Sequence, residues 1–230
     1  MADAAGMKIV VTENGPYRVT GSVSLSKQII EPNAEGESWE WREGEQYAPR
    51  AAYSLCRCGQ SQHKPFCDST HLKVGFDGAE TASRAPYLEQ AQEFDGPEMT
   101  LTDAQPLCAY ARFCDPKGQI WNLIDQTDTQ DGRDLVKREA GNCPSGRLVA
   151  WDKLMKQAIE PALDPSIGLV EDPHLGVSGP IWVRGGIPVE SADGTPYEVR
   201  NRQTLCRCGA SSNKPFCDGS HASIGFTDAG

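Results

Sequence analysis

The chain has 230 residues, 32 acidic against 22 basic, with a formal net charge of -10, and enough apolar content to bury a core. That charge argues against nucleic acid and anionic membranes as partners, because binding polyanions relies on clustered Lys and Arg. No segment approaches the roughly 18 apolar residues of a membrane span, and the N-terminal MADAAGMKIVV lacks a basic stretch leading into an apolar run; a cytoplasmic protein is expected.

In chain order, GPYRVTGSV reads as a Gly-Pro turn followed by a short β run. The acidic EPNAEGESWEWREGEQ that follows is expected to be an exposed loop. Next comes CRCGQSQHKPFCDSTH, from Cys56 to His71, and then VGFDG. The turn-rich RAPYLEQAQEFDGPEMTLTDAQP closes the first half, with a boundary near residue 86. TDTQDGRDLVKREAGNCPSG predicts a helix with acidic residues early and Lys137 and Arg138 late, stopped by Gly141 and Pro144. LVAWDKLMKQAIE predicts a second helix, and PALDPSIGLVEDPHLGVSGP a connector punctuated by Pro and Gly. After it the opening order returns: GPIWVRGGI, CRCGASSNKPFCDGSH from Cys206 to His221, and IGFTD. The expected divisions are 1–85, 86–165 and 166–230.

The repeated phrase carries the chemistry. Cys206 and Cys208 can grip one metal ion if the chain curls next to Gly209. Cys217 and His221 stand one helical turn apart and face the same way if a helix begins at Asp218, whose carboxylate would cap it. Two pairs suit either one tetrahedral zinc, a structural staple, or a 2Fe-2S cluster with two protein ligands per iron. Spacing alone leaves both open. The nine cysteines are odd in number and clustered, which favours thiolate ligands over a disulfide framework.

The whole phrase resembles the mitoNEET-related CDGSH iron-sulfur family: CxC, two residues, Ser or Thr, three residues, Pro, one residue, then Cys-Asp-Gly-small-His. Ser211 and Pro215 match it in the second copy, Ser61 and Pro65 in the first. The resemblance implies two redox-active 2Fe-2S clusters. Cys56 and Cys58 would hold one iron and Cys67 and His71 the other; Cys206 and Cys208, then Cys217 and His221, would do the same. It also implies an α+β fold in which two small β-rich halves pair as an intramolecular pseudo-dimer, a monomer with internal twofold symmetry. The first copy departs with Ser69 where the family has Gly. If that position has positive φ, the cost is about 1 kcal/mol. One neutral imidazole per site should raise the potential above that of plant-type ferredoxins, and its protonation should couple cluster retention to pH. Lys64, Lys214, Arg57 and Arg207 are either solvated surface charges or cations that soften a negative cluster.

The middle segment supplies Cys108 and Cys114 in PLCAYARFCDPKGQIWN and Cys143 in GNCPSGRL. A helix followed by Cys-Pro-x-Gly resembles the closing part of ferredoxin motifs, in particular the divergent ferredoxin-like domains fused to CDGSH modules. The CxxCxxC run is absent, so these cysteines read either as small buried hydrophobes or as ligands of a third cluster. His63 and His174 lack partner cysteines at ligand spacing and are expected to be ordinary loop residues. No nucleophile-base constellation or nucleotide loop points to an enzyme, and SIGLVEDP lacks the glycines of a dinucleotide fingerprint. The functions in contention are electron transfer or redox sensing with a redox partner, cluster donation to an apo acceptor protein, and a zinc-stapled interaction module.

Overall fold

The computed structural model describes residue 4 and residues 6–228. The first half supplies β1 (Lys8–Val11), β2 (Tyr17–Thr20), β3 (Leu25–Pro32), β4 (Ser38–Gln46), β5 (Ala52–Leu55) and the short α1 (Thr70–Lys73). The middle contributes α2 (Tyr87–Gln90), β6 (Gln92–Asp95), β7 (Met99–Asp103), α3 (Ile120–Leu123), α4 (Gln130–Asn142), β8 (Leu148–Asp152) and β9 (Gln157–Ile159). The second half adds β10 (Ser166–Asp172), β11 (Val177–Arg184), β12 (Val189–Glu190), β13 (Arg202–Leu205) and α5 (Ser220–Ser223). Among the described residues no helix is long and apolar enough to cross a membrane.

Two sheets carry the repeated phrases, and their strand orders match. One runs β12-β1-β2-β5; the other runs β3-β10-β11-β13, with β4 added outside β3. In each, an antiparallel trio from one half is completed by a parallel strand from the other. Ile9 sits opposite Val189 in the first sheet, and Ile167 opposite Leu25 in the second. Alternation explains the inward faces: Ile9 and Val11 of β1, Tyr17 and Val19 of β2, and Leu55 of β5 are buried. They meet Ile167, Leu169, Ile181, Val183 and Leu205 in one core drawn from both halves.

The middle segment forms its own sheet, β6-β7-β8-β9, covered by α3 and α4 around Met99, Leu101, Ile120, Val136 and Leu148. It docks on the outer face of the second sheet, where Phe113 and Ala111 pack against Ile30, Val170 and Trp182. Trp41 completes this contact, with ring centroids 4.7 Å from Phe113 and 4.8 Å from Trp182. Arg202 on β13, fully buried, donates to the carbonyls of Ala140 and Cys143 and pairs with Glu160 at 2.8 Å. It thereby satisfies carbonyls left open at the end of α4.

Several sequence expectations are corrected. The acidic stretch expected as a loop contains a β3–β4 hairpin, turned at residues 33–37, because Trp39 and Trp41 find partners on the distant middle segment. LVAWDKLMKQAIE is not a helix but the β8–β9 hairpin, reversing near Lys156 at φ 52°. The stretch expected merely to close the first half holds α2 and the β6–β7 hairpin, and the expected connector holds β10 and the start of β11. The α4 helix falls in the stretch expected, with the Thr129 side chain accepting from the Gly132 N–H at its start, but runs through Gly141 to Asn142.

Candidate metal centres

Each repeated phrase begins where an edge strand, β5 or β13, ends. In the second copy the backbone N–H of Cys206 donates to the Pro215 carbonyl (2.8 Å) and that of Cys217 to Thr204 (3.0 Å), so the loop folds back along its own strand. Gly209, at φ 84°, curls the CxC and brings the Cys206 and Cys208 sulfurs to 3.8 Å. The Ser211 hydroxyl donates to the Phe216 carbonyl and accepts from the Asn213 N–H. The first copy repeats this plan: Cys56 and Cys58 sulfurs lie 3.7 Å apart, and Ser61 bridges Phe66 and His63. Both X-Pro bonds, Lys64–Pro65 and Lys214–Pro215, are cis.

The second pair of each site comes from a single turn. Cys217 Sγ stands 3.5 Å from His221 Nδ1, and Cys67 Sγ 3.4 Å from His71 Nδ1. The expectation that the helix starts at Asp218 is corrected: α5 starts at Ser220, and Gly219, at φ 86° and ψ -3°, stands before it. Asp218 braces the turn through its carboxylate, which accepts from Ser220 N–H and Oγ and from Ser212 N–H and Oγ. Burial opposes ionisation of Asp218, but these hydrogen bonds prevail and hold it down at about 2. Ser69 occupies the left-handed region at φ 70° and ψ 11°, as its place in the motif implied.

The donor set fits iron-sulfur chemistry. A tetrahedral metal with metal–sulfur bonds of about 2.3 Å places its sulfurs about 3.8 Å apart, which is the separation of each CxC pair. Each site offers two such edges, while among the described residues no three His, Cys, Asp or Glu side chains gather round one ion. Backbone N–H groups of Ser69 and Gly219 point at Cys67 and Cys217, each 3.4 Å from sulfur. The Cys206 and Cys208 sulfurs hydrogen bond to each other, and with N–H groups of Ser211 and Gly209 this lowers Cys206 against its burial. Burial, helped by the charge of Arg207, pushes His221 down to about 4, which keeps its imidazole neutral and able to bind metal.

The two sites differ in cover. All four candidate ligands of the second are buried; in the first, Cys67 and His71 are half-buried and Ser69 is exposed. The middle segment makes the difference: a Cβ on Gly219 would stand 3.1 Å from Tyr110 Cβ and 3.5 Å from the Cys108 carbonyl. Cross-half support is equally direct, since the Tyr17 hydroxyl on β2 bridges the carbonyls of Cys206 and Pro215. The two CxC loops also meet back to back. A Cβ on Gly59 would lie 2.4 Å from the Cys208 carbonyl oxygen, and one on Gly209 2.5 Å from that of Cys58.

The three remaining cysteines share a pocket. Cys108, Cys114 and Cys143 line one pocket together with Arg147 and Pro144. Arg147 is fixed by a two-pronged pair with Asp103 (2.5 and 2.7 Å) and lines the same pocket as Cys108. Arg57 and Arg207, which the sequence left between surface charge and cluster cation, are both buried. The carboxylates of Glu171 and Asp228 that pair with Arg207 were missed; setting IGFTD against VGFDG would have exposed Asp228 standing opposite Gly78. His63 and His174 are exposed loop residues.

Comparison with protein-family models finds the iron-binding zinc finger of CDGSH type at residues 14–72 and again at 178–222. A divergent 4Fe-4S mono-cluster model matches residues 94–153, which hold Cys108, Cys114 and Cys143. No curated protein and no solved structure gives a significant match. Iron-sulfur cluster binding is the property these matches share, and the chain therefore carries two regions of the CDGSH iron-binding family with a divergent 4Fe-4S region between them.

Proposed function

We propose that the protein binds a 2Fe-2S cluster at each CDGSH site and carries electrons or senses redox state, without enzymatic activity of its own. Cys56, Cys58, Cys67 and His71 hold the first cluster, and Cys206, Cys208, Cys217 and His221 the second. The observation that carries this reading is the grouping of ligands into two separate edges per site, at 3.7 and 3.4 Å in the first and 3.8 and 3.5 Å in the second. A lone zinc ion would draw all four donors round one point; a two-iron cluster wants two pairs. When bound, such a cluster supplies one-electron chemistry. The chain's own part is to bury the sulfurs, aim N–H groups at them and keep His221 neutral.

The same reading gives the middle segment a third centre on Cys108, Cys114 and Cys143. Their lining of one pocket with Arg147, inside the region matched by the 4Fe-4S model, supports it. We also read the two halves as a covalent pseudo-dimer, because each sheet takes a strand from the other half and the CxC loops meet across one seam. Cluster donation is the second reading, favoured by the partial exposure of Cys67 and His71.

Anaerobic purification with iron supplied tests the proposal. A red protein whose visible absorption bleaches on reduction, with about four irons and four sulfides in the two CDGSH sites and about three or four more irons from the third centre, is expected. A colourless protein with stoichiometric zinc overturns it. Transfer of intact clusters to apo-ferredoxin would favour the donor over the carrier.

A further inference from the structure

The residue between the two cysteines of each CxC is a buried arginine, yet the two arginines are treated differently. Arg207 donates Nε to the Gly179 carbonyl (2.9 Å) and Nη2 to that of Val170 (2.8 Å), and forms ion pairs with Glu171 (3.0 Å) and Asp228 (2.7 Å). Arg57 donates Nη2 to the Gly78 carbonyl and lies over the rings of Tyr17 and Phe76. Its Nε and Nη1 have no hydrogen-bond partner, and among the described residues it pairs with no carboxylate. The repeat accounts for one of these carboxylates, since the first copy has Gly78 where the second has Asp228.

Equivalent cations thus leave unequal charge beside the two sites. Near the first, a buried guanidinium stands uncompensated; near the second, two carboxylates outweigh it. Reduction adds negative charge to a cluster, so a free cation and access to water favour it, while carboxylates and burial oppose it. Charge and cover act in the same direction at both sites.

We infer that the first CDGSH centre has the higher reduction potential, so that an electron shared between the two centres passes from the covered second one to the half-exposed first one for delivery to a partner. This rests on the reading of both sites as 2Fe-2S clusters. The exchange moves one electron: the second centre is oxidised by one as the first is reduced by one, and no bond is made or broken. Net flow requires a one-electron protein donor and a one-electron protein acceptor. The seam where Gly59 meets the Cys208 carbonyl and Gly209 that of Cys58 supplies a through-backbone contact between the two loops.

The test is a redox titration of the full-length holoprotein, followed by electron paramagnetic resonance of the 2Fe-2S signal. Two one-electron steps are expected, the higher lost in Cys67→Ser and the lower in Cys217→Ser. Glu171→Gln with Asp228→Asn should shift the lower step upward and leave the higher unmoved; Gly78→Asp should shift the higher step downward. The charge variants carry the test if either cysteine variant fails to fold. A single step, a reversed assignment, or a lower step unmoved by Glu171→Gln with Asp228→Asn overturns the inference while leaving two bound clusters. A preparation without any 2Fe-2S spectrum defeats the functional reading itself.

Discussion

Ser69 and Gly219 occupy the same place in the two motifs and both have positive φ, 70° and 86°. Only Gly adopts that region without a Cβ penalty, so Ser69→Gly should stabilise the first half by about 1 kcal/mol and slow loss of its cluster. Gly219→Ser should cost more than that, because its Cβ also crowds Tyr110. Cluster-specific visible bleaching in a chelator series measures both, and a Ser69→Gly protein no slower than the parent would remove strain as a source of lability. Replacing His221 by Cys exchanges a neutral donor for an anionic one, so the second centre's potential should fall while the first is unchanged. The side-chain pairs of each candidate site were legible because their members lie within a few residues in the chain. The unequal pairing of Arg57 and Arg207 was legible only in part, in Asp228 standing opposite Gly78, since Glu171 reaches Arg207 from a strand distant in sequence.

Among the elements, α4 holds the clearest titration. Glu139, 2 % exposed and with neither carboxylate oxygen hydrogen-bonded, is pushed up to about 8 by burial, reinforced by the charges of Asp115 and Glu37. The folded state therefore keeps a proton that the unfolded chain releases near its ordinary value of about 4.3. Stability from this group is full below that value and is lost as pH rises to about 8, at up to about 1.4 kcal/mol per pH unit. Glu139→Gln should flatten that slope relative to the parent in denaturant titrations between pH 5 and 8; parallel curves would place the proton elsewhere. Arg202→Gln should destabilise by about 3–5 kcal/mol, because it leaves carbonyls at the end of α4 unpaired and Glu160 without its cation. The misread elements share one cause. In β4 the alternation is dominated by Glu and Arg, and what makes it a strand is Phe113 and Trp182 waiting for Trp41. In β8, Leu148, Val149 and Ala150 are all buried because both faces are covered, which erases the period-two signal.

At the scale of the molecule, strands exchanged between halves make separate unfolding of either half costly. Denaturation followed by visible absorption and by far-ultraviolet dichroism should give coincident transitions for the two CDGSH regions, and a resolved early loss of one would argue for independent beads. The duplication itself was legible in the repeated phrase, whereas the exchange of β12 and β3 was not, because so short a strand as Val189–Glu190 gains its place from partners distant in the chain, such as Ile9 and Val10 across the sheet. The glycine seam turns this shared construction into a mechanical linkage. Gly59 and Gly209 each face backbone of the opposite loop at distances no methyl group can enter. An alanine at Gly59 must displace the Cys208 backbone, its own loop, or both, so one methyl placed in the first motif should loosen iron at both addresses.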